Sequence, residues 1–391
     1  MQSHISVGWA GARQISTKNR PTGPARECFD VDGPVELCCG KGYGDRPLVA
    51  HAPQGAHTLH GEVYMYIVTG GAGFIGSAML WRLNQAGITD IMVVDNLGSS
   101  EKWKNLVNRR YTSYVHRDQF LGMLRANSLG CPVEAVLHFG ACSATTQTDA
   151  DFLMANNTAF TIELCRYALE HGARFINASS AATYGNGSQG FSDSVANTRL
   201  LKPLNMYGYS KHLFDLWLLD NKLHNSVASL KFFNVYGPNE YHKGDMRSVA
   251  CKAYEEITAT GRLRLFKSSS PDYADGGQMR DFVYVKDCVE LMQWLLQNPQ
   301  INGILNVGTG KAQSWNSLAH ALFAAMGKTP QIDYVDMPEK LRGKYQNFTE
   351  ADMSWMQEKG CPLAFASIEQ GIADYVNSYL SQGDPYLEML S

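Results

Sequence analysis

The sequence predicts an α/β protein with a doubly wound parallel β-sheet that carries helices on both faces, and three observations indicate this fold class. From Met65 onward, apolar segments of strand length alternate with longer segments that have helical apolar spacing. The first strand segment runs into a glycine-rich turn and then into a helical segment, and the second ends in Asp95. Together these features predict a Rossmann-type sheet, followed by a smaller C-terminal substrate domain.

The glycine-rich turn lies between the predicted strand Tyr66–Thr69 and the predicted helix Ala78–Leu83. Its glycines are Gly70, Gly71, Gly73 and Gly76. The last three fit G-x-G-x-x-G, in which the first glycine permits the bend, the second admits a pyrophosphate and the third lets the helix pack closely on the strand. The N–H groups and positive dipole end of the helix then favour phosphate. The turn therefore predicts a dinucleotide site.

Further elements follow in the order expected of such a sheet. The strand Ile91–Val94 ends in Asp95, about 20 residues beyond the glycines, where a ribose-binding carboxylate is expected. The remaining predicted strands are Ala135–Phe139, Phe175–Ala178, Ser229–Phe233, Arg280–Asp287 and Ile304–Gly308. Helices are predicted for Asn156–His171, Trp315–Met326 and Ile368–Leu380. The small residues 140–143 follow a strand end, where open α/β sheets bind ligands, although a tight strand–helix connection is the alternative. The next strand leads to 179–185.

Length and composition narrow the functional classes. The chain has 391 residues, 45% of them apolar, and can hold two packed units or one large α/β domain. A net charge of −3 gives no indication of a nucleic-acid partner, and no apolar segment is long enough to span a bilayer. The nine cysteines form no C-x-x-C pair, which favours free thiols in a reducing cytoplasm, and no metal site is expected.

Residues 1–64 differ from the rest of the chain. They contain nine glycines and five prolines without a sustained apolar period, which is typical of a flexible tail. We expect the working protein to begin near Met65, so loss of activity on deleting residues 1–64 would contradict this expectation. The dinucleotide-binding domain is expected at 65–235 plus about 280–312, and the substrate-binding domain at 236–279 plus about 313–391.

Tyr207 and Lys211 are the main candidates for chemistry. They are four residues apart and therefore share one helical face. A tyrosine hydroxyl with a pKa near 10 is a poor base at neutral pH, but a nearby ammonium lowers that pKa. Tyr207 could then take a proton from an alcohol while hydride leaves the same carbon. Ser180 could hydrogen-bond the reacting oxygen, whereas Tyr209 would face away from Lys211.

With these residues the sequence resembles the extended short-chain dehydrogenase/reductase superfamily. The segments that resemble nucleotide-sugar enzymes in particular are Ser179–Gly185, Asn205–Lys211 and Phe233–Pro238. The segments that resemble the ADP-L-glycero-D-manno-heptose 6-epimerase family are His242–Gly244, Arg280–Val285 and Lys340–Thr349. The similarity extends from about Met65 to about Tyr379, nearly all of the chain beyond the tail.

The resemblance implies a reaction, a cofactor and an assembly. Members of this family move hydride between a tightly held NADP and carbon 6 of ADP-heptose, and they supply heptose for the lipopolysaccharide core. Inversion is most easily served by an acid/base group on each side of that carbon. The resemblance assigns one role to Tyr207 and the other to Lys243, a lysine that would need a lowered pKa. It also implies a homo-oligomer, of pentameric type.

The same resemblance implies two sets of binding residues. Those around the cofactor are Gly70, Gly71, Gly73, Phe74, Ile75, Gly76, Asp95, Asn96, Lys102, Arg117, Phe139, Gly140, Ala141, Cys142, Ser143, Asn156, Lys211 and Val235. Those around the sugar nucleotide are Asn234, Asp245, Lys252, Phe266, Lys267, Ser268, Ser269, Arg280 and Tyr345. Arg280 suits a diphosphate because its planar guanidinium makes paired hydrogen bonds. The alternative interpretation of Arg280 is a structural ion pair with Asp281.

Three positions depart from the family pattern. Phe139 stands where the family commonly has glutamate, so that contact can come only from the backbone. Asp245 and Lys252 replace a common serine and histidine, and Asp245 would repel a diphosphate unless it meets a sugar hydroxyl or a cation. The loop between Tyr184 and Leu204 also carries an apparent insertion.

The sequence leaves two questions open: whether the cofactor is NAD or NADP, and which reaction is catalysed. Asp95 by itself favours NAD, because a carboxylate repels a 2′-phosphate, whereas Lys102 and Arg117 and the family pattern favour NADP. The rival functions are another nucleotide-sugar enzyme, such as a 4-epimerase or a 4,6-dehydratase, and a non-catalytic dinucleotide sensor. Ala181 and Ala182 argue against the dehydratase, which needs a carboxylic acid beside the serine. An intact Tyr207 and Lys211 argue against the sensor.

Overall fold

The computed structural model describes residues 64–339 and 346–388. The strands are β1 (Met65–Thr69), β2 (Ile91–Asp95), β3 (Ser113–His116), β4 (Val133–His138), β5 (Arg174–Ser180), β6 (Ala228–Phe232), β7 (Asn234–Tyr236), β8 (Leu263–Phe266), β9 (Met279–Arg280), β10 (Phe282–Tyr284), β11 (Gly303–Val307), β12 (Gln313–Ser314) and β13 (Ile332–Val335). The α-helices are α1 (Phe74–Gln85), α2 (Arg117–Arg125), α3 (Ala150–Leu153), α4 (Phe160–Glu170), α5 (Val195–Thr198), α6 (Met206–Asp220), α7 (Val249–Thr260), α8 (Val285–Gln297), α9 (Trp315–Ala325), α10 (Ser354–Glu358) and α11 (Ile368–Tyr375). The expected tail lies almost wholly outside the described residues.

Seven parallel strands form the central sheet, in the order β11-β6-β5-β4-β1-β2-β3. Successive residues of each buried strand face opposite sides of the sheet. Ile67 accordingly packs into a core with α2, α4 and α6, whereas its neighbour Val68 packs into a second core with α1 and α8. The prediction of a doubly wound α/β sheet is thus confirmed.

The strand order reverses between β1 and β4, and this reversal positions the site. Chain segments leaving β1 and β4 at their carboxyl ends diverge to opposite faces, which opens a crevice at that edge. Among the described residues, three two-stranded pairs lie outside the central sheet: β7 with β10, β9 with β12, and β8 with β13. The division into a dinucleotide-binding and a substrate-binding domain stays a prediction.

Two local expectations were wrong. Residues 280–287 do not form one strand of the central sheet, because α8 begins at Val285 and β10 pairs with β7. The helix expected from Asn156 begins earlier, at Ala150, where the Asp149 side chain accepts a hydrogen bond from the backbone N–H of Phe152. A π-helical segment, Met154–Ala159, then joins α3 to α4. Within the described ranges, no helix is long and apolar enough to cross a membrane.

Candidate active site

A cavity of about 780 Å³ opens at the carboxyl ends of β1, β4 and β5. It brings together all four catalytic candidates and most of the predicted cofactor set. The predicted residues in its lining are Gly70, Gly73, Phe74, Ile75, Gly76, Asp95, Asn96, Lys102, Arg117, Phe139, Gly140, Ala141, Cys142, Ser143, Asn156, Ser180, Tyr207, Lys211, Asn234, Val235 and Lys243. Gly71 lies beneath the turn, where a Cβ would come within 2.9 Å of Val93.

The glycine turn is too tight for side chains. Gly70 makes the bend at φ +66°, and its carbonyl accepts a hydrogen bond from the Gly73 N–H at 2.9 Å. The bend thus falls one residue before the G-x-G-x-x-G pattern. A Cβ on Gly76 would lie 2.1 Å from the Gly70 oxygen, which agrees with close packing by the third glycine. Gly73, the N-cap of α1, offers no side chain to the first-turn N–H groups, which leaves them available to a phosphate.

Asp95 links the end of β2 to the glycine turn. One carboxylate oxygen accepts a hydrogen bond from the Ala72 N–H at 2.8 Å. The other lies 2.6 Å from the Lys102 ammonium and 2.6 Å from the N–H of Asn96. The carboxylate is buried, so this ion pair offsets a charge that would otherwise be costly there. Lys102 therefore neutralises the group whose charge argued against a 2′-phosphate.

Arg117 begins α2 on the same side of the cavity. Its guanidinium donates to Asp118 at 2.8 and 2.9 Å and to the side-chain oxygen of Asn156. Arg117 and Asn156, predicted as separate cofactor contacts, thus form one hydrogen-bonded group.

Buried polar groups hold the turn after β4. Both nitrogens of the His138 ring engage hydroxyls, with Thr69 at 2.6 Å and Thr161 at 2.8 Å. Burial lowers the pKa of His138 to about 3, so the ring is neutral in the physiological range. The Gly140 N–H donates to the Thr69 hydroxyl at 3.1 Å, and a Cβ on Gly140 would lie 2.9 Å from that same oxygen. The backbone of this turn is thereby fixed against the glycine turn.

Tyr207, Lys211 and Ser180 lie together at the end of β5. Asn205 caps α6 by accepting from the Gly208 N–H at 2.8 Å, which places Tyr207 in the first helical turn. The Lys211 ammonium donates to the carbonyl oxygen of Ala178 at 2.6 Å. Burial lowers the pKa of Lys211 to about 8. Tyr209 is 45% exposed and faces away, as predicted.

The pKa of Tyr207 departs from expectation. The sequence predicted that Lys211 would lower it, but burial of the phenol dominates and raises that pKa, while a hydrogen bond with Ser180 acts in the opposite direction. The physical reason is that the phenol is buried, and burial penalises the charged phenolate. In this state the phenol keeps its proton.

Lys243 reaches the cavity from the segment Gly237–Ser248, termed here the Lys243 loop. This loop contains a short 3₁₀ turn, Tyr241–Met246. The Lys243 ammonium lies 5.4 Å from the centroid of the Phe74 ring, next to the glycine turn. Burial lowers the pKa of Lys243, and the charge of Glu240 opposes this shift. A lysine of lowered pKa is able to exchange a proton nearer neutral pH.

The residues predicted for the sugar nucleotide are more widely spread. Arg280 is buried, donates to the Met279 carbonyl at 2.8 Å and to that of Gln346, and lies 5.6 Å from the Trp315 ring centroid. Asn234 lines the cavity, whereas the described residues of the set that do not line it are Asp245, Lys252, Phe266, Lys267, Ser268, Ser269 and Arg280. Tyr345 lies outside the described residues.

Contacts among this set are mainly local. The Lys252 ammonium donates to the backbone carbonyl of Asp245 at 3.1 Å, so the two departures from the family pattern are neighbours. Lys267 lies 3.1 Å from the carboxylate of Asp336. Several lining residues were not predicted, among them His242, Ser248 and Trp315. His242 could have been found beside Lys243, but the other two follow only from how α7 and α9 begin.

Comparison with known proteins identifies the family. The NAD dependent epimerase/dehydratase family matches residues 66–308. The ADP-L-glycero-D-manno-heptose-6-epimerase of Nitratidesulfovibrio vulgaris (strain DP4) is 65% identical over 323 residues, which cover 83% of this chain and 100% of that protein. Its namesake from Fusobacterium nucleatum is 46% identical over 332 residues, with the same coverage.

A solved structure agrees with these relatives. The crystal structure of Helicobacter pylori ADP-L-glycero-D-manno-heptose-6-epimerase superposes with a TM-score of 0.69 at 26% identity, covering 81% of this chain and 96% of that one. The glycine turn, the Tyr207–Lys211 pair and Lys243, which all line the cavity, lie within the matched residues. The chain therefore belongs to the NAD dependent epimerase/dehydratase family and, within it, to the ADP-L-glycero-D-manno-heptose-6-epimerases.

Proposed function

We propose that this enzyme inverts carbon 6 of ADP-D-glycero-D-manno-heptose to give the L-glycero epimer, by transient oxidation and re-reduction with bound NADP. The observation that carries the proposal is a single cavity lined by a glycine turn, by Tyr207 with Lys211, and by Lys243. One dinucleotide and two separate proton-exchanging groups thus have access to one substrate carbon. The product would serve the supply of heptose for lipopolysaccharide.

The residues present fit a nicotinamide dinucleotide. Cβ atoms would obstruct the turn at Gly70 and Gly76, and the N-terminus of the 12-residue helix α1 offers N–H groups to a diphosphate. When bound, such a cofactor would supply hydride exchange at carbon 6, and Tyr207 would be more easily deprotonated beside the positive charge of its oxidised form. Asp95 with Lys102, and Arg117 with Asn156, would hold the adenosine ribose.

Tyr207 is the proposed acid/base group on one side of carbon 6. Its phenolate would take the hydroxyl proton as the carbinol becomes a ketone, and its phenol would return that proton on reduction from the same side. Ser180, which hydrogen-bonds Tyr207, would orient the reacting oxygen. Lys211 supplies a positive charge beneath the pair, and its bond to Ala178 fixes the ammonium at the end of β5.

Lys243 is the proposed acid/base group on the other side. It approaches from a different element, beside Phe74, whereas Tyr207 approaches from α6. If the ketone turned within the cavity before its opposite face was reduced, Lys243 would supply the proton to the carbinol oxygen. The lowered pKa of Lys243 supports this role, because a lysine with its ordinary pKa releases a proton only above pH 10.

NADP is proposed over NAD on electrostatic grounds. Asp95 is paired with Lys102 at 2.6 Å, so its repulsion of a 2′-phosphate is offset, and Arg117 adds a second cation in the cavity lining. The measurement is chromatography of the nucleotide released from purified protein, followed by titration of the stripped protein with both nucleotides. NAD alone in the extract, and tighter binding of NAD, would overturn the choice.

The sugar nucleotide would extend from Asn234 toward Arg280 and the segment 266–269. The guanidinium of Arg280, held by Gln346 and Met279, would bind the diphosphate.

We further propose a homo-oligomer, which light scattering would test, and residence in a reducing compartment. Buried free thiols at Cys165, Cys251 and Cys288 support the latter.

The reaction is tested by NMR of carbon 6 after purified protein is incubated with ADP-heptose. Epimerisation of ADP-heptose without conversion of UDP-galactose supports the 6-epimerase; the reverse pattern would establish the 4-epimerase instead.

The Tyr207→Phe variant should lose orders of magnitude in turnover while binding its cofactor normally. Tyr209→Phe, at the exposed neighbour, is the matched control. Unchanged turnover in Tyr207→Phe would remove Tyr207 from its proposed role.

A further inference from the structure

We propose that Glu240 is a positioning residue that closes the Lys243 loop and holds Lys243 at the cavity. The inference rests on the proposed function, in which Lys243 exchanges a proton at carbon 6. Glu240 does not line the cavity and is fully buried, so it acts through the loop and touches neither substrate nor cofactor.

The carboxylate of Glu240 bonds both ends of the loop and a helix behind it. One oxygen accepts from the Gly237 N–H at 3.2 Å, from the Ser248 hydroxyl at 2.7 Å and from the Tyr375 hydroxyl at 3.1 Å. The other oxygen accepts from the Ser248 N–H. Gly237 and Ser248 begin and end the Lys243 loop, so a single side chain determines how far apart its ends lie.

The same residue is also bonded to Lys243 itself. The Lys243 N–H donates to the Glu240 carbonyl at 3.1 Å. Ser248 is in turn the N-cap of α7, since its hydroxyl accepts from the Cys251 N–H at 3.1 Å. The Lys243 backbone is therefore connected through Glu240 to α7 on one side and to α11 on the other.

Charge adds a second function to this arrangement. A buried carboxylate is costly, and burial raises the pKa of Glu240, whereas its hydrogen bonds and the charge of Lys243 lower it. The loop itself carries Glu240, Tyr241, His242, Lys243, Asp245 and Arg247 as charged or titratable groups. Lys102 and Asp95 act on His242 beside Lys243, and Tyr375 and Cys251 lie behind Glu240. Among them Glu240 raises the pKa of Lys243, opposing burial.

The first test is Glu240→Gln in the full-length holoenzyme. Glutamine keeps the shape, but its NH2 group must face either the Ser248 N–H or the Gly237 N–H, so one end of the loop loses its acceptor and the carboxylate charge is lost. We expect kcat to fall on the order of tenfold to hundredfold, as for a misplaced catalytic group, with unchanged affinity for the cofactor. The pH limit of turnover that belongs to Lys243 should shift to lower pH, because losing the negative charge lowers the pKa of the ammonium further.

Asp281→Asn is the matched control for that variant. Asp281 is another fully buried carboxylate with four hydrogen bonds, from Thr309 (two), Gly310 and Ala351. Asp281→Asn should lower the melting temperature about as much as Glu240→Gln does, but it should leave the pH limit of turnover unchanged. A folded Glu240→Gln enzyme with wild-type kcat and an unshifted pH limit would overturn the proposal.

A second pair of variants covers the outcome in which Glu240→Gln does not fold. Tyr375→Phe removes the hydroxyl that donates to Glu240 and that also contacts Tyr241 and Cys251, from a residue outside the cavity lining. Loss of one hydrogen bond corresponds to a decrease in kcat of about threefold to tenfold. The control is Tyr379→Phe, four residues further along the chain, whose hydroxyl donates to Glu388. This variant should leave kcat unchanged. Equal kcat in the two variants would refute the role of Glu240.

The Lys243→Met variant separates this inference from the proposed function. If Lys243→Met epimerises normally, the assignment of Lys243 is wrong and the positioning of its loop has no catalytic meaning. If Lys243→Met is inactive while Glu240→Gln and Tyr375→Phe behave as wild type, the proposed function stands and the inference about Glu240 fails.

Discussion

Replacing Gly76 with alanine should disrupt the packing of α1 on the glycine turn. The new Cβ would lie 2.1 Å from the Gly70 carbonyl oxygen, 2.8 Å from its carbon and 3.0 Å from the Gly71 Cα. Gly70 has little room to retreat, because its own α-carbon faces the Phe139 backbone, where a Cβ would come within 2.6 Å. The new methyl group would meet the backbone of Gly70, and Gly70 is itself packed against the backbone of Phe139, so α1 must move away from β1.

The magnitude follows from the cost of overpacking. Inserting a methyl group into a fully packed site costs about 1–3 kcal/mol. The strain falls on the turn whose N–H groups would bind the diphosphate, so cofactor affinity should weaken by roughly tenfold to hundredfold. The affinity for the sugar nucleotide should change less, because its proposed contacts at Asn234 and Arg280 lie on other elements.

The assay is a fluorescence titration of stripped protein with NADP, together with the melting temperature. Gly122→Ala is the matched control: Gly122 lies inside α2, and a Cβ there would meet no atom within 4 Å. That variant should bind NADP normally and gain about 0.5–1 kcal/mol in stability, as alanine favours helix over glycine. A Gly76→Ala protein with wild-type affinity and melting temperature would show that the close approach does not govern the site.

Three further outcomes are expected. Lys211 should lose its proton as pH rises through about 8, so turnover should fall on that alkaline side; a kcat profile that stays flat well above this pH would contradict the role of the ammonium. Asp215→Ala should lower the free energy of unfolding, measured with urea, by about 3–5 kcal/mol, because it removes the carboxylate that lies 3.1 Å from the buried ammonium of Lys231. Asp220→Ala removes an exposed ion pair of the same helix and should cost under about 1 kcal/mol. Equal losses in the two variants would refute the argument. Arg117→Ala should weaken NADP more than NAD in titration, and an equal loss for both would place Arg117 away from the 2′-phosphate.

Part of the site could be predicted from the sequence because its determinants are local. The helical spacing of Tyr207 and Lys211 places both on one face, and both line the cavity. The glycine pattern located the turn, although the left-handed bend is at Gly70, which directly follows β1 and precedes the first glycine of the pattern. The resemblance then extended the prediction to Lys243, whose surroundings show no local pattern.

Other features depend on contacts between residues far apart in the chain. Lys102 neutralises Asp95, and burial is the largest cause of the raised pKa of Tyr207. The segment 280–287 likewise divides between β10 and α8, because its partner strand is β7. Such outcomes depend on which groups become desolvated together, and periodicity along one segment carries no information about that.

The sequence alone determined the alternation of strands and helices, the glycine turn and the spacing of Tyr207 and Lys211, because each depends on residues within a few positions of one another. Only the tertiary structure decided that Glu240 connects the Lys243 loop to α7 and α11. Its bond to Tyr375 spans 135 positions of the chain. Whether a buried carboxylate finds its four donors is settled by the packing of separate elements, since every donor must arrive before the charge can be buried at an acceptable cost.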